Sequence, residues 1–284
     1  MHNTSREGRR IVPGNIAHVR RLERYRFFAA DVPGKVVLDC ACGPGFGTAV
    51  LSRAGARRVV AVDISERALE HTARHCAELR NVETLRADVT HLPFDDETFD
   101  VVVSSETVEH VADWTTGFAE LIRVMKPEGT FDVSMPNRPV FSAFRLGSAS
   151  PMHVRETSLR GLRLRLEKLF EEVEMFGQDF QRRGDVFCWT RRCFNAWAPT
   201  SLRQTIVRLK DWYRKRSSLS GGAAGEPVDS DVFRVIPLEA HPGWVPMYAI
   251  GRCRKPRTAR PRASAGQTPF RALAPVGHTS RREH

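Results

Sequence analysis

Three titratable side chains, Glu106, Glu109 and His110, lie close together in the segment SSETVEHV at residues 104–111. Their spacing of i, i+3 and i+4 predicts that they share one face if the segment is helical. The two carboxylates would repel each other unless a cation lay between them, and an imidazole can act as a general base. Acids are also favoured in the first turn of a helix for purely structural reasons. The elements around the segment must therefore indicate whether the cluster is functional or structural.

The elements around this segment alternate between strands and helices, which predicts an α/β fold with a parallel sheet and crossover helices. The predicted strands are short apolar runs at 35–41, 58–63, 82–88, 99–105, 130–136, 172–178 and 245–252. The predicted helices are at 15–30, 46–54, 65–79, at the segment that follows 99–105, and at 157–169. The cluster therefore lies past the carboxyl end of the fourth strand, where doubly wound sheets bind ligands.

Charge and composition divide the chain into three parts. Lys and Arg exceed Asp and Glu by 11, and residues 252–284 contain nine Lys/Arg and one Glu, so this end carries +8 of the excess. We predict an N-terminal helical segment at 1–34, a domain at 35–252 with a helical insertion at about 181–240, and a disordered basic tail at 253–284. The tail could solvate the protein, or contact an anionic membrane or nucleic acid.

Composition also predicts a cytoplasmic protein. No apolar run approaches the roughly 18 residues of a transmembrane segment, and the first ten residues, MHNTSREGRR, contain no signal-peptide core. The six cysteines are scattered and include no C-x-x-C pair, which is typical of reduced thiols. The basic tail extends this expectation to peripheral contact with the inner face of the membrane.

A glycine-rich turn follows the first strand in VVLDCACGPGFGT, with glycines at 43, 45 and 47. Glycines between a strand and a helix allow a ligand to approach the backbone at a helix N-terminus. The turn lacks the Lys of a Walker A loop, and Thr48 stands where the G-x-G-x-x-G motif would continue. Both nucleoside triphosphates and nicotinamide cofactors are therefore disfavoured as the ligand.

Three acids close the first three predicted strands and indicate which ligand binds instead. Asp39 would repel a pyrophosphate but can hold an ammonium group, directly or through water. Asp63 can accept hydrogen bonds from both ribose hydroxyls, and Asp88 can accept one from an adenine amino group. An amine, a ribose and an adenine without phosphates describe S-adenosylmethionine.

Over residues 35–180, and on to 252, the sequence resembles the class I S-adenosylmethionine-dependent methyltransferases. The resemblance rests on DCACGPG at 39–45, Asp63, Ala87-Asp88, FDVVVSS and LIRVMKPEGT, with Ala41 where the family more often has Gly. It implies a Rossmann-like, doubly wound sheet of seven strands with the last strand antiparallel. The cofactor-binding residues that it implies are Asp39, Ala41, Gly43, Gly45, Asp63, Ile64, Asp88, Val89 and Ser105.

The acidic cluster is also similar to that of metal-dependent O-methyltransferases, which include small-RNA 2′-O-methylating and ubiquinone-pathway enzymes. E-x-x-E-H at 106–110, Pro136-Asn137 and His153 carry this likeness. It implies that Glu106, Glu109, His110 and His153 hold a divalent metal such as Mg²⁺ or Mn²⁺ and activate the acceptor. Two alternatives stay open: His110 or His153 as a metal-free base, and a purely structural cluster.

The acceptor is suggested by a further likeness to bacterial methyltransferases encoded with cell-surface polysaccharide glycosyltransferases. IVPGN, RRLERYRFFA, PNRP and LEKLFEEVEMFGQ carry it. It implies a sugar hydroxyl, on a small molecule or a nucleotide- or lipid-phosphate-linked glycan. The alternatives are an RNA ribose 2′-hydroxyl, a quinone or phenol, and a non-enzymatic adaptor that binds the cofactor.

Overall fold

The computed structural model describes residues 10–11, 16–138, 140, 157–182, 228–229, 233–240 and 244–257. His153, most of the predicted insertion at 181–240 and the tail from 258 onwards lie outside these residues. In the described ranges, no helix has both the length and the apolar composition that a membrane span requires.

Strands and helices alternate along the described chain, as the sequence predicts. The strands are β1 (Val36–Cys40), β2 (Arg58–Asp63), β3 (Val82–Arg86), β4 (Phe99–Ser105), β5 (Met125–Pro136), β6 (Phe170–Arg182) and β7 (Trp244–Pro256). The α-helices are α1 (Ile16–Phe28), α2 (Phe46–Arg53), α3 (Glu66–His75), α4 (Trp114–Val124) and α5 (Leu159–Leu169).

The main sheet of the described residues has the order β3-β2-β1-β4-β5-β7-β6, with a two-residue edge strand, Ile236–Pro237, beside β6. Strands β1 to β5 are parallel, and β7 is antiparallel to both of its neighbours. The predicted α/β Rossmann-like sheet with an antiparallel last strand is confirmed. The short edge strand makes eight strands where seven were predicted.

Strands β1, β2 and β4 are rich in apolar residues because both faces of the sheet are buried there, whereas β3, at the edge of the sheet, reads VETLR and is partly exposed. Along β1, Val36, Leu38 and Cys40 pack into one hydrophobic cluster, whereas Val37 packs into a second cluster on the opposite face. Alternate side chains of a strand point to opposite faces, so helices on both sides must cover them. This core fixes the carboxyl ends of β1, β2 and β4 at one edge of the sheet.

Several boundaries differ from those predicted, among them that of β5, which begins at Met125 and not at residue 130, and those of β6, which runs from Phe170 to Arg182 and not over 172–178. Helix α3 is capped by Ser65, as predicted, but it ends at His75 and not near residue 79. Strand β7 continues to Pro256, and Cys253 is fully buried in it, so residues 253–256 belong to the domain and not to the tail. The basic residues at the start of the predicted tail hid this extension, because a cluster of Arg and Lys is typical of a disordered tail, whereas here Arg252 and Arg254 alternate with the buried Cys253 in a strand that is paired on both sides.

Candidate functional site

A cavity of about 250 Å³ opens at the carboxyl edge of the sheet. The glycine turn forms one wall, the segment after β4 forms another, and α1 contributes the third. The lining residues are Arg21, Tyr25, Ala41, Cys42, Gly43, Pro44, Ser105, Glu106, Glu109, His110 and Pro136. The cavity thus joins the two sequence regions that were expected to carry the chemistry.

Only one of the three glycines in the turn has an open space where a side chain would be. A Cβ on Gly43 would meet no atom within 4 Å, whereas one on Gly45 would lie 2.7 Å from the Cα of Thr72. A Cβ on Gly47 would lie 2.1 Å from the ring of Tyr25. Gly45 and Gly47 are therefore required by packing against α3 and α1, and Gly43 is the position that a ligand can approach.

Asp39 lies beneath the turn with its side chain fully buried. Its two carboxylate oxygens accept hydrogen bonds from the Tyr25 hydroxyl at 2.8 Å and the Thr48 hydroxyl at 2.6 Å. Burial raises the pKa of Asp39 to about 6, although these two hydrogen bonds lower it. Because the carboxylate has no exposed surface, an ammonium group cannot touch it in this conformation.

Asp63 is the last residue of β2 and Ile64 follows it; neither lines the cavity, and Asp63 contacts the glycine turn. The Asp63 carboxylate accepts hydrogen bonds from the backbone N–H groups of Gly43 and Ser65, each at 2.9 Å. These bonds tie β2 to the glycine turn and leave lone pairs that can accept ribose hydroxyls. Ile64 is 61% exposed, which leaves an apolar surface for a flat ring beside that acid.

The remaining predicted cofactor residues differ in whether they line the cavity. Asp88 accepts hydrogen bonds from the backbone and hydroxyl of Thr90, and Val89 packs partly against the core. Neither residue lines the cavity, whereas Ala41 and Ser105 do. The Ser105 hydroxyl lies 2.9 Å from that of Ser134, within hydrogen-bond distance.

The prediction that residues 104–111 form a helix is wrong. Glu106 has a left-handed backbone conformation with a φ of 54°, and a single 3₁₀ turn, Val108–His110, follows it. The helix begins only at Trp114, where the Asp113 side chain caps it. A left-handed residue cannot continue into an α-helix, so the segment turns sharply at the mouth of the cavity.

The three titratable groups that were expected on one helical face all line the cavity, but they differ in exposure. Glu109 is 1% exposed, while His110 is exposed and also lines the cavity. A non-glycine residue in the left-handed region stores backbone strain, and such residues cluster at functional sites. The segment therefore carries a buried carboxylate and an accessible imidazole to the same cavity.

The Glu106 carboxylate forms ion pairs with two arginines of α1. Its Oε2 lies 3.0 Å from Nη2 of Arg24, which is only 1% exposed, and 3.8 Å from Nη2 of Arg21. A guanidinium thus neutralises the carboxylate that was predicted to bind a metal. In the described part of the chain, no three His, Cys, Asp or Glu side chains are grouped so that they could hold a metal ion.

Arg21, Arg24 and Tyr25 are site residues that the sequence analysis missed. Arg24 also donates to Gln178 at 2.7 Å and stacks over the Tyr248 ring at 4.4 Å. These contacts fasten α1 to the carboxyl ends of β4 and β6 and to the amino-terminal half of the antiparallel β7. The i, i+4 spacing of Arg21 and Tyr25 on an amphipathic helix was the available signal, but it did not show which face met the sheet.

We expect the affinity for S-adenosylhomocysteine to decrease as the pH is lowered from about 6, by up to about tenfold per pH unit. The reason is that protonation of Asp39 removes the negative charge that attracts the ammonium group of the ligand. The pKa of Asp39 in the fold lies above its ordinary value of 3.8, so its contribution to ligand-free stability is present below that value. That contribution is lost as the pH rises through about 6, so stability and binding respond in opposite directions.

Calorimetry at several pH values measures the pH dependence of the affinity for S-adenosylhomocysteine, and thermal unfolding measures the pH dependence of stability. Asp39→Asn is the comparison in both experiments. The amide retains hydrogen-bonding capacity toward Thr48 and Tyr25 but does not titrate. The difference between wild type and variant isolates this carboxyl from the other titrating groups. Equal pH dependence of binding in the two proteins would contradict the assignment.

Comparison with known proteins finds methyltransferases. A methyltransferase-domain family model matches residues 38–133. A protein named "probable S-adenosylmethionine-dependent methyltransferase" from Mycolicibacterium smegmatis is 34% identical over 171 residues, 59% of this chain and 65% of that protein. The demethylmenaquinone methyltransferase of Clavibacter sepedonicus is 41% identical over 118 residues, 42% of this chain and 48% of that enzyme. The chain thus spans less than two thirds of each relative.

Solved structures share the fold over most of the chain. The YcgJ protein of Bacillus subtilis superposes with a TM-score of 0.51 at 20% identity, covering 84% of this chain and 99% of that one. An S-adenosylmethionine-dependent methyltransferase of Thermotoga maritima gives a TM-score of 0.53 at 17% identity, covering 85% and 94%. Sheet order, glycine turn and family match agree, and residues 38–133 carry a methyltransferase domain that is similar to those of S-adenosylmethionine-dependent methyltransferases.

Proposed function

We propose that the protein transfers a methyl group from S-adenosylmethionine to a hydroxyl oxygen of a sugar, in a cell-surface glycan or its nucleotide- or lipid-phosphate-linked precursor. One observation carries the proposal. A single cavity is lined both by the glycine turn, through Ala41 and Gly43, and by the imidazole-bearing segment, through Glu109 and His110. A cofactor on the turn and an acceptor beside His110 would share that space.

The residues of the turn fit the cofactor. Gly43 leaves open space at a left-handed position, Asp63 offers carboxylate lone pairs, and Ile64 offers an exposed apolar surface. When bound, S-adenosylmethionine supplies a methyl group activated by a sulfonium centre. The protein must then orient the acceptor oxygen and remove its proton.

We assign to His110 the role of the general base that removes the proton of the acceptor hydroxyl. A sugar hydroxyl does not ionise appreciably near neutral pH, so a general base must accept its proton as the oxygen bonds to carbon. His110 is exposed and lines the cavity, whereas Glu109, which also lines it, is only 1% exposed. His153, the alternative base, lies outside the described residues.

The described residues favour a reaction without a metal ion. A metal at Glu106 would have to displace the guanidinium of Arg24, which is buried and also bonded to Gln178. Removing one partner of a buried ion pair costs several kcal/mol, about 3–5. The set Glu106, Glu109 and His110 therefore does not fit a divalent ion as it is arranged.

The cavity lining favours a sugar over a quinone. Charged or hydrogen-bonding side chains dominate it, among them Arg21, Ser105, Glu106 and His110. A polyhydroxylated acceptor can pair with such groups, whereas an apolar ring would leave them desolvated. The relatives named demethylmenaquinone methyltransferases make a quinone the rival acceptor.

A transfer assay with methyl-tritiated S-adenosylmethionine tests the proposal against its rivals. Nucleotide-linked sugars, lipid-linked glycans, demethylmenaquinone and a short RNA form the acceptor arms, each with and without EDTA. We expect label in a sugar arm and no change with EDTA. Label confined to the quinone or the RNA would overturn the assignment of a sugar acceptor. Loss of transfer with EDTA would overturn the assignment of a reaction without a metal ion. Cofactor binding without transfer in any arm would favour an adaptor.

A further inference from the structure

We infer that the exposed side of α5, which we call the α5 basic face, docks on an anionic membrane surface. The face consists of five solvent-exposed residues, Arg160, Arg163, Leu164, Glu167 and Lys168. None of them lines the cavity, and α5 lies outside the matched family region at 38–133. The inference therefore concerns where the protein works, and the docking itself does not depend on the proposed reaction.

Packing against the sheet fixes which side of α5 faces outward. Leu162 and Leu166 are fully buried, and a Cβ on Gly251 of β7 would lie only 2.5 Å from Cδ1 of Leu166. This close contact holds the rotation of the helix about its own axis. Leu164 lies two positions from each buried leucine, about 200° around the helix, so it points away from the core together with the residues four positions before and after it.

The α5 basic face carries positive charge that its one acid does not balance. Arg163 pairs with Glu167 at 2.7 Å, whereas Arg160 and Lys168 form no ion pair within the described residues. Arg257 lies beside the last turn of the helix, because its Nε donates to the Glu167 carbonyl at 3.2 Å. Four basic side chains thus stand against one carboxylate, a net charge of +3 that is complementary to lipid phosphates.

Leu164 favours a membrane over a nucleic acid as the partner. It is 49% exposed and lies one helical turn from both Arg160 and Lys168. An apolar side chain between two cations suits the boundary of headgroups and acyl chains, where the leucine is buried and the cations meet phosphates. Single-stranded nucleic acid is bound instead on exposed aromatic rings, and the helix sequence, LRGLRLRLEKL, contains no aromatic residue.

The position of α5 brings the cavity close to the docked surface. The Leu159 N–H donates to the Asn137 side chain at 2.9 Å, and Asn137 follows Pro136, which lines the cavity. The helix therefore begins beside the cavity and extends roughly 16 Å from there. Residues 258–284, which follow Arg257, contain five Arg and one Glu. Among the proposed acceptors this placement favours the lipid-phosphate-linked glycan, and that last step alone rests on the proposed function.

Vesicle binding of the full chain tests the inference without cofactor or acceptor. We expect wild type to sediment with vesicles of mixed phosphatidylglycerol and phosphatidylcholine, and not with vesicles of phosphatidylcholine alone. Arg160→Gln/Lys168→Gln should weaken binding to the mixed vesicles about 10- to 100-fold, because two charges that meet lipid phosphates are lost. Leu164→Gln should weaken it about 3- to 10-fold without changing the net charge.

Arg53→Gln/Arg80→Gln is the matched control, because both arginines are exposed, lie outside α5 and lower the net charge by the same amount. Glutamine has a high helix propensity, so circular dichroism should show every variant folded. Equal weakening by the control, unchanged binding in the α5 variants, or no binding of wild type would overturn the inference.

A short RNA in the same assay distinguishes the other macromolecular partner. RNA binding in place of vesicle binding, lost in Arg160→Gln/Lys168→Gln and retained in Leu164→Gln, would assign the α5 basic face to nucleic acid and overturn the membrane inference. Failure of methyl transfer with every acceptor would refute the proposed function and leave the vesicle result standing.

Discussion

Replacing His110 with glutamine is expected to lower kcat by about 10²- to 10⁴-fold and to leave the affinity for S-adenosylhomocysteine unchanged. Glutamine keeps a polar side chain at the exposed position but cannot accept the proton of an acceptor hydroxyl at neutral pH. Gly43, where we propose that the cofactor approaches, belongs to the glycine turn and not to the segment that carries His110, so binding should not respond. Initial rates with the sugar acceptor, together with calorimetry, measure the two effects separately.

His71→Gln is the control for this change, since His71 is exposed on α3 and does not line the cavity. His153→Gln is the competing variant. A kcat that survives in His110→Gln but collapses in His153→Gln would transfer the role of base to His153. Loss of S-adenosylhomocysteine binding in His110→Gln would show that His110 acts through the cofactor site.

Alanine at Gly47 and at Gly43 should have different effects, although the two positions are in one turn. A Cβ on Gly47 would overlap the Tyr25 ring at 2.1 Å, so Gly47→Ala should destabilise the fold by about 1–3 kcal/mol. Gly43→Ala meets no atom within 4 Å, and its φ of 57° costs only about 1 kcal/mol. Its methyl group would instead enter the cavity and weaken S-adenosylhomocysteine about 10- to 100-fold.

Chemical denaturation and calorimetry on the two variants provide the comparison, and each variant is the control for the other. Gly43→Ala that binds the ligand normally would show that no ligand approaches the turn there. Gly47→Ala with wild-type stability would show that the Tyr25 ring can move aside, which would also question its fixed hydrogen bond to Asp39.

The sheet could be predicted from the sequence because its signals are local. The strands 58–63 and 99–105 begin and end at the predicted residues, since each is an apolar run between polar turn residues. The acids at the carboxyl ends of β1 and β2 follow from the same reasoning. Parallel topology then brings those ends together without any knowledge of side-chain contacts.

The segment after β4 could not be predicted in the same way. Its i, i+3, i+4 pattern is local and indicates a helix, but its conformation is set by a distant residue. Arg24 pairs with Glu106 from a helix that precedes the whole sheet, while the backbone N–H of Glu106 donates to Ser134 at 2.9 Å on β5. Tertiary contacts of this kind override helix propensity, which is a weak preference.

The buried position of Arg24 also sets an order of events during synthesis of the chain. Its partner Gln178 lies 154 residues further on, so at about 5–20 residues per second a ribosome needs roughly 8–30 s to deliver it. Until then the Arg24 guanidinium lacks this buried partner, although Tyr25 of the same helix can already bond to Asp39 on β1. The helix is thus held first by its contacts with β1 and the glycine turn, and it is locked against β6 only after every residue that lines the cavity has been made.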